Sequence, residues 1–290
     1  VDQRTLPLSG SYSYATDGAG VHAYIVDTGI RATHSEFVGR MGEGTDTVGD
    51  GGNGNDCRGH GTHVAGTVGG TNYGVAKGVT LHPVRVLDCG GVGTNANVIA
   101  GIDWVAAHHL APAVMNLSLG GGISDAVDDA VRGAIATGVT VVVAAGNSAV
   151  DACDISPART LEAITVGATN KSDRRSDFSN WGRCVDVFAP GDSILSAAIA
   201  DDTATAIHGG TSMAAPHVTG AAALYLSANP TASPAQVAAA LSTHATADQI
   251  AGVGDGSPNV LLYTNAIGLG DDHTPPSASL TAPRDGDMLS

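Results

Sequence analysis

Lysine appears only twice in this 290-residue chain, at 77 and 171, against 28 acidic residues. The resulting formal net charge of −15 repels phosphate backbones and anionic bilayers, which argues against nucleic acid and membrane surfaces as partners. Long apolar runs are also missing. None approaches the roughly 20 residues that a bilayer crossing needs, and residues 1–8 lack the basic-then-apolar pattern of a secretory leader, so the sequence reads as an already processed chain. Aromatics make up only 4% of it, yet 43% is hydrophobic and 40 residues are glycine, enough for one domain with a large core or one domain plus a fragment. There are just four cysteines. An even number fits two disulfides in an oxidising compartment or free thiols buried in a cytosolic protein, and three pairings are open.

What is present is a regular alternation. VHAYIVDTG (21–29), LHPVRVL (81–87), VMNLSLG (114–120) and VTVVVAAGN (139–147) are apolar enough for strands buried on both faces, and helical patterns lie between them at 62–70, 95–110 and 124–138. The expected fold is α/β: a doubly wound, mostly parallel sheet with helices on both faces. Ser124 caps the helix that Gly138 ends, and Ser233, Pro234 and Gln236 form a capping box for a helix over 234–243. In such a sheet, ligands bind at the carboxyl edge of the strands, where helix N-termini gather. Asp27, Asn147, the 117–121 run, His60 and Ser212 all fall on that rim.

The stretch GGTSMAAPHV (209–218) places Ser212 where an apolar helix begins. One reading is an N-cap. The other is a nucleophile that exploits unpaired N–H donors and the positive end of the helix dipole. Pro216, near the helix start, is expected where a missing N–H does little harm. Asp27 could shape a strand-end turn. In CRGHGTHVAG, Cys57, His60 and His63, with Cys89, could hold zinc, although the glycines beside His60 suit a close backbone approach rather than a metal.

VDTGI, GHGTHVAG, AAGN and GTSMAAPHV occur in the order found in subtilisin-like serine proteases, which the chain resembles. Within that family it is most similar to the proteinase K group and its aqualysin-like members, through DQRTLPL, YGVAKGV, VRVLDC, MNLSLGGG, FSNWG, VDVFAPG and NVLLY, over about residues 1–267. The resemblance implies a secreted, broadly specific endopeptidase, expected to act as a monomer on protein and peptide substrates and to meet a pro-peptide or protein inhibitor. Asp27, His60 and Ser212 would be its triad, and Asn147 with the Ser212 N–H its oxyanion site. Substrate would run as an extended strand between Gly90, Gly91 and Gly93 on one side and Leu117, Ser118, Leu119 and Gly120 on the other. Disulfides would join Cys57 to Cys89 and Cys153 to Cys184, displacing the zinc reading.

Calcium (Ca2+) is the structural cofactor that the resemblance implies, at Asp186 with the carbonyls of Leu161 and Ala163, and at Asp2 with Gln3. The acidic loop TDTVGDGGNGND, with Asp46, Asp50 and Asp56, is a third candidate by oxygen density; a solvated acidic turn would have the same composition. Measured against the family, the chain starts about a dozen residues into the first segment. Residues 268–290 are expected to be a linker leading to an immunoglobulin-like module. The rival functional class is a non-catalytic or narrowly dedicated peptide-binding protein on the same scaffold.

Overall fold

The structure, a computed structural model, describes residues 1–265 and 267; the expected linker at 268–290 lies outside them. Strands that are apolar throughout need cover on both faces, and the alternation within each strand shows how it is supplied. In β1 (His22–Asp27), Ala23 and Ile25 point to one side and Tyr24 and Val26 to the other. The same split runs through β3 (Thr80–Arg85), β4 (Ala113–Leu117) and β5 (Thr140–Ala144). One face packs against α1 (His60–Gly69), α4 (Thr211–Ala228) and α5 (Pro234–His244), and the opposite face against α2 (Asn95–His108) and α3 (Asp125–Ala136). The doubly wound expectation therefore holds.

Among the described residues the main sheet has nine strands. Its remaining members are β2 (Thr45–Asp46), β6 (Ile164–Thr169), β7 (Val187–Pro190), β10 (Thr246–Ala247) and β11 (Val260–Leu261), and the order is β10-β11-β7-β6-β5-β4-β1-β3-β2. All neighbours are parallel except β10 and β11. A separate antiparallel hairpin, β8 (Ile194–Ala197) with β9 (Thr205–His208), leads into α4. His63, fully buried, clasps this hairpin. Its Nε2 lies 3.0 Å from the Ile194 carbonyl and 3.1 Å from that of Ala206, so the proton sits on Nε2, and burial presses the imidazole pKa down to about 4.

Helix ends follow their local chemistry. Ser124 caps α3, and α5 starts with the full Ser233–Gln236 capping box and proline in its first turn. α4 departs from expectation. Its N-cap is Gly210, in an extended left-handed backbone (φ +154°), so Ser212 lies inside the first turn and is not the cap. Pro216 falls beyond that turn, where a missing N–H leaves a carbonyl without its helical partner. α4 is small and apolar on nearly every side because the sheet and α1 enclose it.

Candidate active site

Sheet order brings three distant segments to one rim. Val26 pairs with Leu117, and Leu117 with Val143, so the chain leaves β1, β4 and β5 at the same edge, at Asp27, Ser118 and the 145–147 turn. Asp27 is fully buried, and both its oxygens face His60 Nδ1, at 2.8 and 2.9 Å. Oδ1 also accepts the Thr28 N–H at 2.7 Å. The helix can approach this closely because residue 61 is glycine: a Cβ there would lie 2.2 Å from the Gly29 carbonyl oxygen.

Asp56 locks the junction. Its Oδ1 accepts from the Thr28 hydroxyl and from the N–H groups of Arg58 and Gly59, and its Oδ2 from the N–H and hydroxyl of Thr62, all at 2.6–2.9 Å. Thr28 Oγ1 in turn accepts the Gly61 N–H. Asp46 and Asp50 are also engaged. Both bind the guanidinium of Arg85, which is buried, Asp46 at 2.8 Å and Asp50 at 2.5 and 2.7 Å. The carboxylates of the acidic loop are thus engaged by Arg85 and by backbone and hydroxyl donors.

His60 feels opposing influences. Burial disfavours the imidazolium, but the charge and hydrogen bond of Asp27, aided by Asp56, outweigh burial and the opposing Arg58, and its pKa rises above the ordinary 6.5.

Across the rim, Asn147 is oriented by Thr211. Its Oδ1 accepts the Thr211 N–H at 2.8 Å and the Thr211 hydroxyl at 2.9 Å. A backbone N–H can only donate, so the amide oxygen faces Thr211 and the NH2 points away from it. Thr211, fully buried, also accepts the Gly146 N–H. Asn180 holds the same turn, accepting from Ser148 and Val150 N–H and donating to the Ala145 carbonyl. Neither Thr211 nor Asn180 stood out in the sequence, although each sits in a quoted motif, GTSM and FSNWG. The Ser212 hydroxyl donates to the Ser118 carbonyl at 3.1 Å.

A sequence model described as the subtilase family matches residues 18–262. The chain belongs to the subtilase family. It is 64% identical over 264 residues to the "Extracellular serine proteinase" of Thermus sp. (strain Rt41A), covering 91% of this chain and 64% of that protein. It is 53% identical to "Alkaline serine exoprotease A" of Vibrio alginolyticus, covering 91% and 49%. The chain thus spans between about half and two thirds of these curated relatives. A crystal structure of "a cold adapted subtilisin-like serine proteinase" superposes with a TM-score of 0.89 at 52% identity, covering 91% of this chain and 96% of that one.

A cavity of about 480 Å³ opens beside His60, with Gly90, Gly91 and Gly93 on one wall and Ser118, Leu119 and Gly120 on the other. Val92, 68% exposed, joins the first wall and went unnoticed in the sequence. Leu117 is a correction: its side chain is buried in the α2–α3 face of the core and does not line the cleft, because strand alternation turns it inward. Cys57 bonds to Cys89 and Cys153 to Cys184, which resolves the three pairings and removes the thiols that zinc would need. Closing loops of 32 and 31 residues contributes roughly 3 to 4 kcal/mol per bridge in the chain-entropy description.

Asp186 accepts the Thr165 N–H at 2.8 Å, and desolvation pushes its carboxyl up to about 6. A desolvated carboxylate of this kind fits a cation. Asp2 and Gln3 instead close a local turn: Asp2 accepts from Ser13 N–H, while Gln3 accepts from Ser9 N–H and donates to the Ser9 hydroxyl.

Proposed function

We propose that the protein is a secreted serine endopeptidase that hydrolyses peptide bonds of proteins through an acyl-enzyme. The carrying observation is the buried Asp27 with both oxygens on His60 Nδ1, beside a cleft whose wall residue Ser118 receives the Ser212 hydroxyl, with the Asn147 amide held in one orientation by Thr211. Nδ1 must carry its proton to meet a carboxylate, so the Nε2 of neutral His60 is a lone-pair base. It takes the Ser212 hydroxyl proton as Oγ attacks the peptide carbonyl carbon. The oxyanion is held by the Asn147 Nδ2 donors and the Ser212 N–H, which belongs to the unpaired first turn of α4. The C–N bond then breaks as His60 delivers the proton to the leaving amine, and water repeats the sequence on the ester. In the resting site the hydroxyl proton points at Ser118, so it swings to His60 as attack begins.

Two disulfides and the names of the relatives support an extracellular setting. Glycines 90, 91 and 93 leave that wall open to any side chain, which supports broad specificity. A pro-peptide or protein inhibitor would compete for the same two walls.

The test is casein hydrolysis with and without a sulfonyl fluoride, with the labelled residue mapped by mass spectrometry and kcat/KM followed against pH. We expect complete inhibition with the label on Ser212. Activity should fall on acidification with an apparent pKa above 6.5, because His60 has a raised pKa and works only when neutral. Peptide binding without turnover would favour a binding protein instead.

Calcium at Asp186, with the carbonyls of Leu161 and Ala163, would stiffen the turn before β6 against β7 and takes no part in the chemistry. Chelation is expected to accelerate thermal inactivation while leaving turnover at low temperature unchanged. At calcium 100-fold above Kd the site contributes about 2.7 kcal/mol. Asp186→Asn should erase the chelator effect, and equal inactivation rates with and without chelator in the parent protein would refute the site.

A further inference from the structure

Pro216 interrupts the hydrogen-bond ladder of α4 at one particular carbonyl. In a regular helix the N–H of residue 216 would donate to the carbonyl of Ser212, and proline has no N–H to give. That carbonyl is not left bare. The hydroxyl of Ser118, just past the end of β4, donates to it at 2.8 Å. The same residue receives the Ser212 hydroxyl on its own carbonyl at 3.1 Å. Ser118 thus grips the nucleophile's residue through both its backbone and its side chain.

Behind Ser118 stands a polar chain that has no other evident use. Asn116 Nδ2 donates to Ser118 Oγ at 2.9 Å, and the Thr219 hydroxyl donates to Asn116 Oδ1 at 2.8 Å. Asn116 and Thr219 are fully buried and Ser118 is 3% exposed. An asparagine amid the otherwise apolar AVMNL strand is costly unless hydrogen-bonded, and here both ends of its amide are used. Its effect on Ser118 is directional. With an acceptor site of the hydroxyl occupied by Asn116, the single Ser118 proton is free to point at the Ser212 carbonyl.

We propose that Ser118 is a positioning residue for the nucleophile: its hydroxyl, oriented by Asn116, supplies the hydrogen bond that Pro216 cannot and so fixes the Ser212 backbone relative to His60 and Asn147. The inference rests on the peptidase reading above. A helical N–H would tie Ser212 to its own helix, whereas the Ser118 hydroxyl ties it to the wall where substrate is bound. The first turn of α4 is thereby registered against the cleft rather than against the rest of α4.

The test compares the parent protein with Ser118→Ala, Pro216→Ala and the double variant. Ser118→Ala should lower kcat about tenfold, the scale of one buried carbonyl left unpaired, with KM within about twofold. In the Pro216→Ala background the restored N–H occupies the Ser212 carbonyl, so the same change should cost at most about threefold. The thermal unfolding midpoint should show the same coupling, and that readout needs no turnover. Equal costs in both backgrounds, in kcat and in midpoint, would overturn the inference, as would a loss expressed in KM alone. A parent protein without turnover would overturn the peptidase reading, and the midpoint coupling would still decide this one.

Discussion

Alanine in place of Ser212 is expected to lower kcat by about 10⁶, the scale that subtilisin, the family's namesake, sets for loss of this hydroxyl. The structure explains why the loss should be chemical rather than structural. Ser212 is not the cap of α4, a role held by Gly210, and its hydroxyl makes one hydrogen bond, to the Ser118 carbonyl at the edge of the cleft. Alanine is at least as good a helix former, so the unfolding midpoint should stay within a degree or two, since stability changes below about 0.5 kcal/mol move it little. Asn147, Thr211 and both cleft walls remain, so peptide affinity should persist. Residual catalysis of about 10³ to 10⁴ over water is expected from the oxyanion donors. The measurement is kcat on a chromogenic peptide together with direct peptide binding. Turnover above about a thousandth of the parent would mean that the nucleophile lies elsewhere.

That these residues share one rim was legible in the sequence because each of its parts ends a strand or starts a helix, and such ends carry local signals. VDTG, GHG and AAGN mark chain reversals at which glycine tolerates a close approach, and the apolar runs before VDTG and AAGN read as strands covered on both faces. What was not legible depends on partners far along the chain. Asp46, Asp50 and Asp56 look like oxygen ligands when read locally. Their fate is decided by Arg85, 35 residues beyond Asp50, and by Thr28, 28 residues before Asp56. Arg85 gives no warning, because in LHPVRVL it reads as an interruption of an apolar strand. Leu117 belongs to the LSLGG run that forms the second wall, yet strand alternation sends its side chain to the core. Asn116, Thr219 and Pro216 each break a local rule, and only the hydrogen bonds that run through Ser118 to the Ser212 carbonyl show that the exceptions compensate one another.

Asp27→Asn should cost about 10⁴ in kcat near neutral pH, for a reason that can be read from three hydrogen bonds. Asp27 Oδ1 accepts the Thr28 N–H at 2.7 Å, a donor with no alternative role, so an asparagine would keep its oxygen there. Its NH2 would then face His60 Nδ1, where a carboxylate oxygen now sits at 2.9 Å. An amide N–H pointing at Nδ1 favours the tautomer whose proton is on Nε2, and that nitrogen can no longer take a proton from Ser212. The fold should survive, because asparagine has nearly the same shape and Asp56 continues to hold α1 against β1. A second signature follows from charge. Asp27 is the strongest influence raising the His60 pKa, opposed by burial, so without it the imidazolium loses its counter-charge and burial prevails. The acid limb of kcat/KM should therefore move to lower pH as kcat collapses, which a loss of stability would not produce. Parent-like kcat in the folded variant, or an acid limb that stays in place, would show that His60 is oriented by something other than Asp27.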